Sequence, residues 1–263
     1  MSSWRTLTAR WRRLPDFLII GAQRSGTSTL YEYITRHDGV ARAARKEVHF
    51  FDTYFDNGLD WYRAQFPFRD QRLTGEASPS YLFLPFVPAR VKAALPSAKL
   101  IVILRNPIDR ALSSYHHRAR KKTETRPLEV ALSPEQLRPW PDVVAMLSKP
   151  VVTADERHSY LARGLYADQL EMWLKYFPRE QLLVLPAEAF FKDTMPVMNR
   201  VCDFLSIPGW SGDAAMQGWV KERYSYQRYA EMGDELRRNL AELFRPHNER
   251  LYRLVGEDFG WSG

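Results

Sequence analysis

The sequence predicts an α/β protein in which a parallel sheet is covered by helices on both faces. Three apolar runs of strand length, rich in β-branched residues, predict buried strands over residues 16–20, 99–104 and 181–186. Helical patterns separate these runs, and such alternation is typical of parallel sheets joined by right-handed crossovers. The 263 residues contain no internal repeat and no convincing linker, so they predict a single domain.

The predicted helices alternate with these strands along the chain. Leu30, Tyr31 and Ile34 recur at helical spacing after the first strand. Three further helical patterns cover residues 87–96, 110–122 and 164–177. The C-terminal stretch "ELRRNLAELFRPHNERLYRLVG" predicts two helices divided at Pro246, because proline breaks the interior of a helix.

Two segments lack a clear pattern. Residues 1–15 predict a basic arm, either touching anionic lipid or forming a solvated tail, ahead of a domain over residues 16–263. Residues 118–158 contain a basic run and several prolines without periodicity. A segment of this kind inside a compact domain is usually functional, so the sequence predicts an irregular loop or lid there.

The composition limits the classes of function. A net charge of +7 and an isoelectric point near 9.5 favour anionic partners. Cys202 is the only cysteine, which excludes an internal disulfide and favours a reducing compartment. No apolar stretch approaches the ~20 residues of a membrane span, and no nucleic-acid-binding signature is present. The histidines show no H-E-x-x-H spacing, so no metal is predicted.

The stretch "GAQRSGTSTL" predicts an anion-binding loop between the first strand and the first helix. Gly21 and Gly26 allow close approach of the backbone, and Arg24 carries a planar fork suited to oxyanions. Thr27 and Ser28 add hydroxyl donors at the helix start, where the helix dipole favours negative charge. The alternative is a turn in which the hydroxyl groups only cap the helix. Thr27 stands where the lysine of ATP-binding loops is expected, which argues against a kinase.

A second candidate anion site follows the strand over residues 99–104. Arg105 comes at the carboxyl end of this strand, where open α/β sheets bind ligands. Asn106 and Pro107 break the strand and begin a helix that carries Ser113. The alternative is a structural turn with a surface arginine.

Together, "RSGTSTL" and "RNPIDRALS" resemble the sulfotransferase superfamily that uses 3′-phosphoadenosine 5′-phosphosulfate (PAPS). The matching positions are Arg24, Ser25, Gly26, Thr27, Arg105 and Ser113. "KEVHFFD" (46–52) and "GEASPSY" (75–81) are similar to segments of the heparan-sulfate type and its bacterial relatives. The resemblance implies a sulfotransferase fold and PAPS as donor, with adenosine 3′,5′-bisphosphate (PAP) as product.

The resemblance also implies a reaction and a location. A sulfuryl group would pass in line to an acceptor hydroxyl on a carbohydrate or glycoconjugate. Alternatives are a lipid, phenolic or other small alcohol as acceptor and, more remotely, a P-loop kinase or a nucleotide-binding protein. Golgi members of the family carry a membrane anchor that this sequence lacks, so we expect a bacterial cytoplasmic enzyme. The oligomeric state is not readable from the sequence.

The catalytic roles follow from the same resemblance. Glu47 is the predicted base and Arg24 the electrostatic stabiliser, since arginine does not give up its proton. His49 is the alternative base, because cytosolic members of the superfamily use histidine. A plainer interpretation of Glu47 is a surface carboxylate paired with Lys46 or Arg45.

Acceptor and further donor contacts are also predicted. Candidate acceptor contacts are Arg45, Lys46, His49, Ser78 and Tyr81. Candidate donor contacts in the last third of the chain are Lys221, Arg223 and Arg228. One position departs from the family: heparan-type enzymes carry a lysine near the reacting groups where this chain has Ala77, which leaves the transfer of acceptor identity open.

Overall fold

The described residues form one parallel sheet, as the sequence predicts; its five strands, numbered in chain order, are arranged β2-β3-β1-β4-β5, an arrangement that was not predicted. The computed structural model describes residues 3–148, 159–209 and 232–261. The strands are β1 (Phe17–Gly21), β2 (Val40–Arg42), β3 (Leu73–Ala77), β4 (Lys99–Leu104) and β5 (Leu182–Pro186).

Eleven α-helices connect and flank these strands within the described ranges. They are α1 (Ser3–Leu7), α2 (Thr27–Ile34), α3 (Gly58–Arg63), α4 (Val87–Ala94), α5 (Pro107–Arg120), α6 (Leu128–Ala131), α7 (Trp140–Leu147), α8 (Tyr166–Leu174), α9 (Ala187–Lys192), α10 (Thr194–Leu205) and α11 (Asp234–Val255). No helix of the described residues has the length and apolar character needed to cross a bilayer.

Both faces of the sheet are buried, which explains the continuous apolar runs of the central strands. Alternate residues of β1 point to opposite faces: Leu18 and Ile20 join one hydrophobic cluster with α4 and α8. Phe17 and Ile19 join a second cluster with α2 and α10. This two-sided core holds the ends of the central strands, and therefore the loops that follow them, in fixed positions.

Strands β1, β4 and β5 match the predicted strands, but β2 and β3 were not predicted. Strand β2 has only three residues, too few for a pattern. Strand β3 contains Gly75 and Glu76, residue types that are depleted in strands. Gly75 is needed because a Cβ there would lie 2.5 Å from the Phe17 carbonyl oxygen on the neighbouring strand.

The prediction of two C-terminal helices is wrong, because α11 continues through Pro246. Leu240, Phe244 and Leu251 lie on both sides of the proline and are all buried. Burial of both halves along the same face outweighs the loss of one backbone hydrogen bond at the proline.

The N-terminal arm is folded against the domain, contrary to the predicted solvated tail. Arg5 donates from Nε to the Ala64 carbonyl at 2.7 Å and from Nη2 to the Phe66 carbonyl at 3.1 Å. Arg12 is 2% exposed and also donates to the Phe66 carbonyl. The arm's arginines therefore bind the backbone that leads into β3.

The predicted irregular segment, residues 118–158, is partly helical. Helix α5 extends to Arg120, and both α6 and α7 fall within the segment. Val143, Met146 and Leu147 of α7 are buried, and this burial explains why the helix forms despite the surrounding prolines. Residues 149–158 lie outside the described ranges.

Candidate active site

Three loops meet at the carboxyl edge of the sheet, where ligands bind in open α/β folds. Strand β1 lies between β3 and β4, and all three run in the same direction. The loop after β1, the turn after β4 and the segment after β3 therefore leave the sheet side by side. The predicted anion loop stands in the centre of this edge.

The loop after β1 has the geometry of an oxyanion site. Gly26 precedes α2 with a φ of 101°, and a Cβ at this position would lie 2.7 Å from the Phe191 ring. The first amides of α2 have no acceptor within the helix and carry the positive end of its dipole. The Ser25 hydroxyl is fully buried and has no hydrogen-bond partner among the described residues. Because an unpaired buried hydroxyl is costly, a bound oxyanion fits this loop.

The two predicted anion motifs meet through Arg24 and Ser113. Arg24 has a φ of 71° in the loop after β1, and its Nε donates to the Ser113 Oγ on α5 at 3.2 Å. Burial lowers the pKa of Arg110, and the nearby charges of Arg105 and Arg24 lower it further. The pKa of His117 is lowered by burial and then by Arg24. Arg24, Arg105 and Arg110 thus form one cationic cluster across the edge of the sheet.

The turn after β4 is held from three sides. The Asn106 Oδ1 accepts from the Ile108 amide at 2.9 Å and so caps α5. The Asn106 amide donates to Glu188 Oε1 at 2.8 Å, and the Tyr166 hydroxyl donates to the Arg105 carbonyl at 2.8 Å. The Glu188 Oε2 also accepts from the Trp261 indole at 3.0 Å. Arg105 therefore stands on a rigid backbone.

The segment after β2 carries three ionisable side chains, Glu47, His49 and Asp52, that lie in a row. The Glu47 Oε2 lies 3.3 Å from His49 Nε2, and His49 Nδ1 lies 2.9 Å from Asp52 Oδ2. The Ser80 hydroxyl donates to the same Asp52 oxygen at 2.5 Å. Asp52 was not predicted; its signal in the sequence is only its position three residues after His49.

The charges of Glu47, His49 and Asp52 stabilise one another. Asp52 first and Glu47 second raise the pKa of His49 to about 10. The hydrogen bond from His49 and the neighbouring Lys46 lower the pKa of Glu47 to about 2. At neutral pH the histidine is thus an imidazolium between two carboxylates, and it has no free lone pair to accept a proton.

Lys46 connects Glu47 to the helix that follows the anion loop. Its Nζ donates to the Ser28 Oγ in the first turn of α2 at 2.7 Å and forms an ion pair with Glu47. The Lys46 carbonyl accepts from the Ala77 amide at 3.0 Å, which fixes the lysine backbone at the end of β3. Arg45 is exposed on the same segment.

Two of the predicted acceptor contacts are fully buried. Ser78 and Tyr81 are both 0% exposed, so neither faces the cleft. Both hydroxyls donate to the buried Glu76, Ser78 at 2.6 Å and Tyr81 at 3.1 Å. The Ser78 Oγ also accepts from the His49 amide at 3.1 Å. These side chains position the segment that carries Glu47 and His49.

Glu76 itself was missed as a site residue. It is 0% exposed and accepts from the Tyr62 hydroxyl at 2.8 Å and from the Val48 amide at 3.1 Å, in addition to Ser78 and Tyr81. Burial raises its pKa despite these donors. The predicted donor contacts Lys221, Arg223 and Arg228 lie outside the described residues.

Comparisons with known proteins agree with the resemblance. The family profile described as "Sulfotransferase domain" matches residues 14–227. Human heparan sulfate glucosamine 3-O-sulfotransferase 6 is 33% identical over 270 residues, which cover 95% of this chain and 75% of that protein. Human heparan sulfate glucosamine 3-O-sulfotransferase 3A1 is 32% identical, with 96% of this chain and 63% of that protein covered.

Solved structures show the same similarity. The crystal structure of a sulfotransferase from Alicyclobacillus acidocaldarius superposes with a TM-score of 0.73 at 32% identity, covering 93% of this chain and 96% of that one. A mouse sulfotransferase complexed with PAP shares the fold, with a TM-score of 0.54 at 17% identity and coverage of 97% and 94%.

Proposed function

Because the chain belongs to the sulfotransferase family, we propose that it transfers a sulfuryl group from PAPS to a hydroxyl of a carbohydrate or glycoconjugate. The contact between Arg24 and Ser113 carries the proposal. It unites two oxyanion motifs that are 89 residues apart in the sequence. One nucleotide with phosphate groups at both its 3′ and 5′ positions needs two such sites at one edge of a sheet.

The donor fits the residues at this edge. The amides of α2, the Ser25 hydroxyl, Thr27 and Arg24 take the 5′-phosphosulfate, while Arg105 and Ser113 take the 3′-phosphate. Arg24 offers several donors in one plane and touches Ser113, so it bonds to the phosphosulfate while remaining close to the 3′ site. Its charge stabilises the negative charge that grows on the bridging oxygen and the departing phosphate.

Glu47 is the proposed base. The acceptor oxygen forms a bond to sulfur while the bond from sulfur to the phosphate oxygen breaks, and the hydroxyl proton passes to the Glu47 carboxylate. His49 does not compete for this proton because its pKa of about 10 keeps it protonated at neutral pH. Asp52 holds His49, and His49 orients Glu47. The hydrogen bond from His49 and the neighbouring Lys46 lower the pKa of Glu47, so the carboxylate is ionised at neutral pH and can accept the proton.

The acceptor class rests on charge and on the relatives. Arg45 is exposed on the segment that leads to Glu47 and suits an anionic sugar, whereas the exposed Arg42 is ion-paired with Glu32. The curated relatives are named for heparan sulfate glucosamine. We therefore place an acidic glycan first and a lipid, phenolic or other small alcohol second. The single, buried cysteine supports a reducing compartment such as the bacterial cytoplasm as the location.

The first test separates a PAPS-dependent enzyme from a kinase. PAP at 100 times its dissociation constant should stabilise the protein by about 2.7 kcal/mol, whereas ATP with Mg²⁺ should shift the melting temperature little. Thermal unfolding with each ligand measures this difference. The reverse order of the two ligands would favour the kinase.

Labelled PAPS then identifies the acceptor. We expect incorporation of ³⁵S into sulfated glucosamine oligosaccharides in preference to glycolipids and phenols. Arg105→Ala should raise the donor KM and leave the acceptor KM nearly unchanged. Incorporation into phenols alone would replace the proposed acceptor class, and an unchanged donor KM would contradict the role of Arg105.

A further inference from the structure

Lys46 lies between the loop proposed to bind the phosphosulfate and Glu47, the proposed base. Its Nζ is 2.7 Å from the Ser28 Oγ, in the first turn of the helix whose amino end forms the anion loop. The same Nζ is ion-paired with Glu47, the proposed base. In an in-line transfer the sulfuryl group moves from the loop toward the base, so the ammonium stands beside that path.

We propose that the Lys46 ammonium contacts the phosphosulfate end of the donor and stabilises the charge that develops during transfer. This inference rests on the proposed function. A lysine ammonium has three donors, and Ser28 and Glu47 are its two described partners, which leaves a donor direction for a ligand oxygen. The lysine side chain is 25% exposed, so the contact is partly shielded from water and stronger than a surface pair.

The backbone around Lys46 fixes the position of this charge. Its carbonyl accepts from the Ala77 amide at 3.0 Å, and the neighbouring Val48 amide donates to Glu76 at 3.1 Å. Both partners belong to β3, in the interior of the sheet. The ammonium is thus presented from a backbone that is anchored on both sides, which limits the reorganisation needed during the reaction.

Lys46 and Arg24 have different tasks in this arrangement. The Arg24 guanidinium is directed toward Ser113 and the 3′-phosphate site, and arginine does not release its proton. The lysine is a compact charge on the side of the acceptor and the base. Ala77, which stands where heparan-type enzymes carry a lysine, is hydrogen-bonded to Lys46 itself. The backbones of positions 46 and 77 are therefore adjacent at this end of the sheet, and the chain carries its lysine on the first of the two.

Steady-state kinetics on four proteins test the proposal: the wild type, Lys46→Met, Lys46→Arg and Lys175→Met. We expect kcat of Lys46→Met to fall about 10²–10³-fold, with a much smaller change in the Kd for PAP. Lys46→Arg should keep at least about a tenth of kcat, because the charge remains. Lys175→Met removes the same kind of charge from an exposed position at the end of α8 and should keep kcat within about twofold.

Chemical rescue distinguishes a charge at the reacting group from a structural role. Propylamine replaces the atoms that Lys46→Ala removes, and we expect it to restore part of kcat in that variant and in no other. An unchanged kcat in Lys46→Met overturns the proposal, as does an equal loss in Lys175→Met. A loss confined to the acceptor KM also overturns it, since Lys46 would then bind the acceptor. A wild type that transfers no sulfate from PAPS overturns the proposed function, and this inference with it.

Discussion

Glu47 and Glu76 lie on adjacent segments of one site, but their environments oppose each other. The Glu47 side chain is 40% exposed, and the hydrogen bond from His49, together with Lys46, lowers its pKa to about 2. Glu76 is 0% exposed, and burial raises its pKa although four donors surround it. The two residues are linked, because Glu76 binds the amide of Val48, the residue after Glu47.

The comparison distinguishes an exposed glutamate at the edge of the site from a buried glutamate that supports the site. Cations hold Glu47 ionised at the edge where a ligand can reach it. Neutral hydroxyl and amide donors hold Glu76 in the interior, where it fixes the backbone of the segment that carries Glu47. Two glutamates of similar appearance in the sequence therefore have unlike roles, and variants of each should fail in different ways.

The largest expected effect is on folding, in Glu76→Ala. Four buried donors lose their acceptor, and a cavity opens among Tyr62, Ser78 and Tyr81. We expect the free energy of unfolding to fall by about 3–5 kcal/mol, measured by urea denaturation. Glu47→Ala is the matched control and should change it by less than about 1 kcal/mol. Equal losses in the two variants would remove the distinction between the residues.

The next effect is on turnover, in Glu47→Gln. The amide keeps the shape of the side chain but cannot accept the hydroxyl proton, so we expect kcat to fall about 10²–10⁴-fold. Binding of PAP, measured by calorimetry, should stay within about threefold of the wild type. If turnover survives in Glu47→Gln and is lost only in His49→Ala, the base is His49.

The smallest effect is on the pH dependence of stability. The folded pKa of Glu47 is below the unfolded value of 4.5, so its stabilisation is present above pH 4.5 and is lost as the pH falls toward 2. Allowing for solvent screening of the exposed side chain, this contribution is about 1 kcal/mol. Glu47→Gln should therefore lose less stability on acidification than the wild type.

Glu76 should have the opposite sign. Its folded pKa is above 4.5, so its contribution is greatest below that pH and falls as the pH rises. A Glu76 variant that folds should consequently lose more stability on acidification than the wild type. Urea denaturation between pH 3 and pH 7 compares the three proteins, and parallel curves would contradict both signs.

The geometry of the proposed donor site could be predicted from the sequence because its determinants are local. Strand, glycine loop and helix are consecutive around Arg24, and strand, turn and helix are consecutive around Arg105. Each motif can be recognised without knowing the rest of the fold. A parallel sheet then brings the carboxyl ends of its strands to one edge, which is why Arg24 and Ser113 meet.

The geometry of the proposed acceptor side is harder to predict from the sequence, because the residues that determine it are distant from one another in the chain. The donors around Glu76 come from Val48, Tyr62, Ser78 and Tyr81, which belong to three separate segments. Nothing local marks Ser78 as buried, and nothing marks Asp52 as the partner of His49. The unpredicted strands β2 and β3 and the unbroken helix α11 likewise depend on tertiary packing that overrides local preference.

One carboxylate connects the C-terminal residues of the described chain to the proposed nucleotide site. One Glu188 oxygen accepts from the Asn106 amide at the start of α5, and the other accepts from the Trp261 indole. Trimming the chain from residue 259 onward removes this tether and the Trp261 ring, which packs at a tilt against Tyr166. The Tyr166 hydroxyl in turn donates to the Arg105 carbonyl. We therefore expect a carboxy-terminal truncation, or a bulky tag at this end, to weaken the binding of PAP.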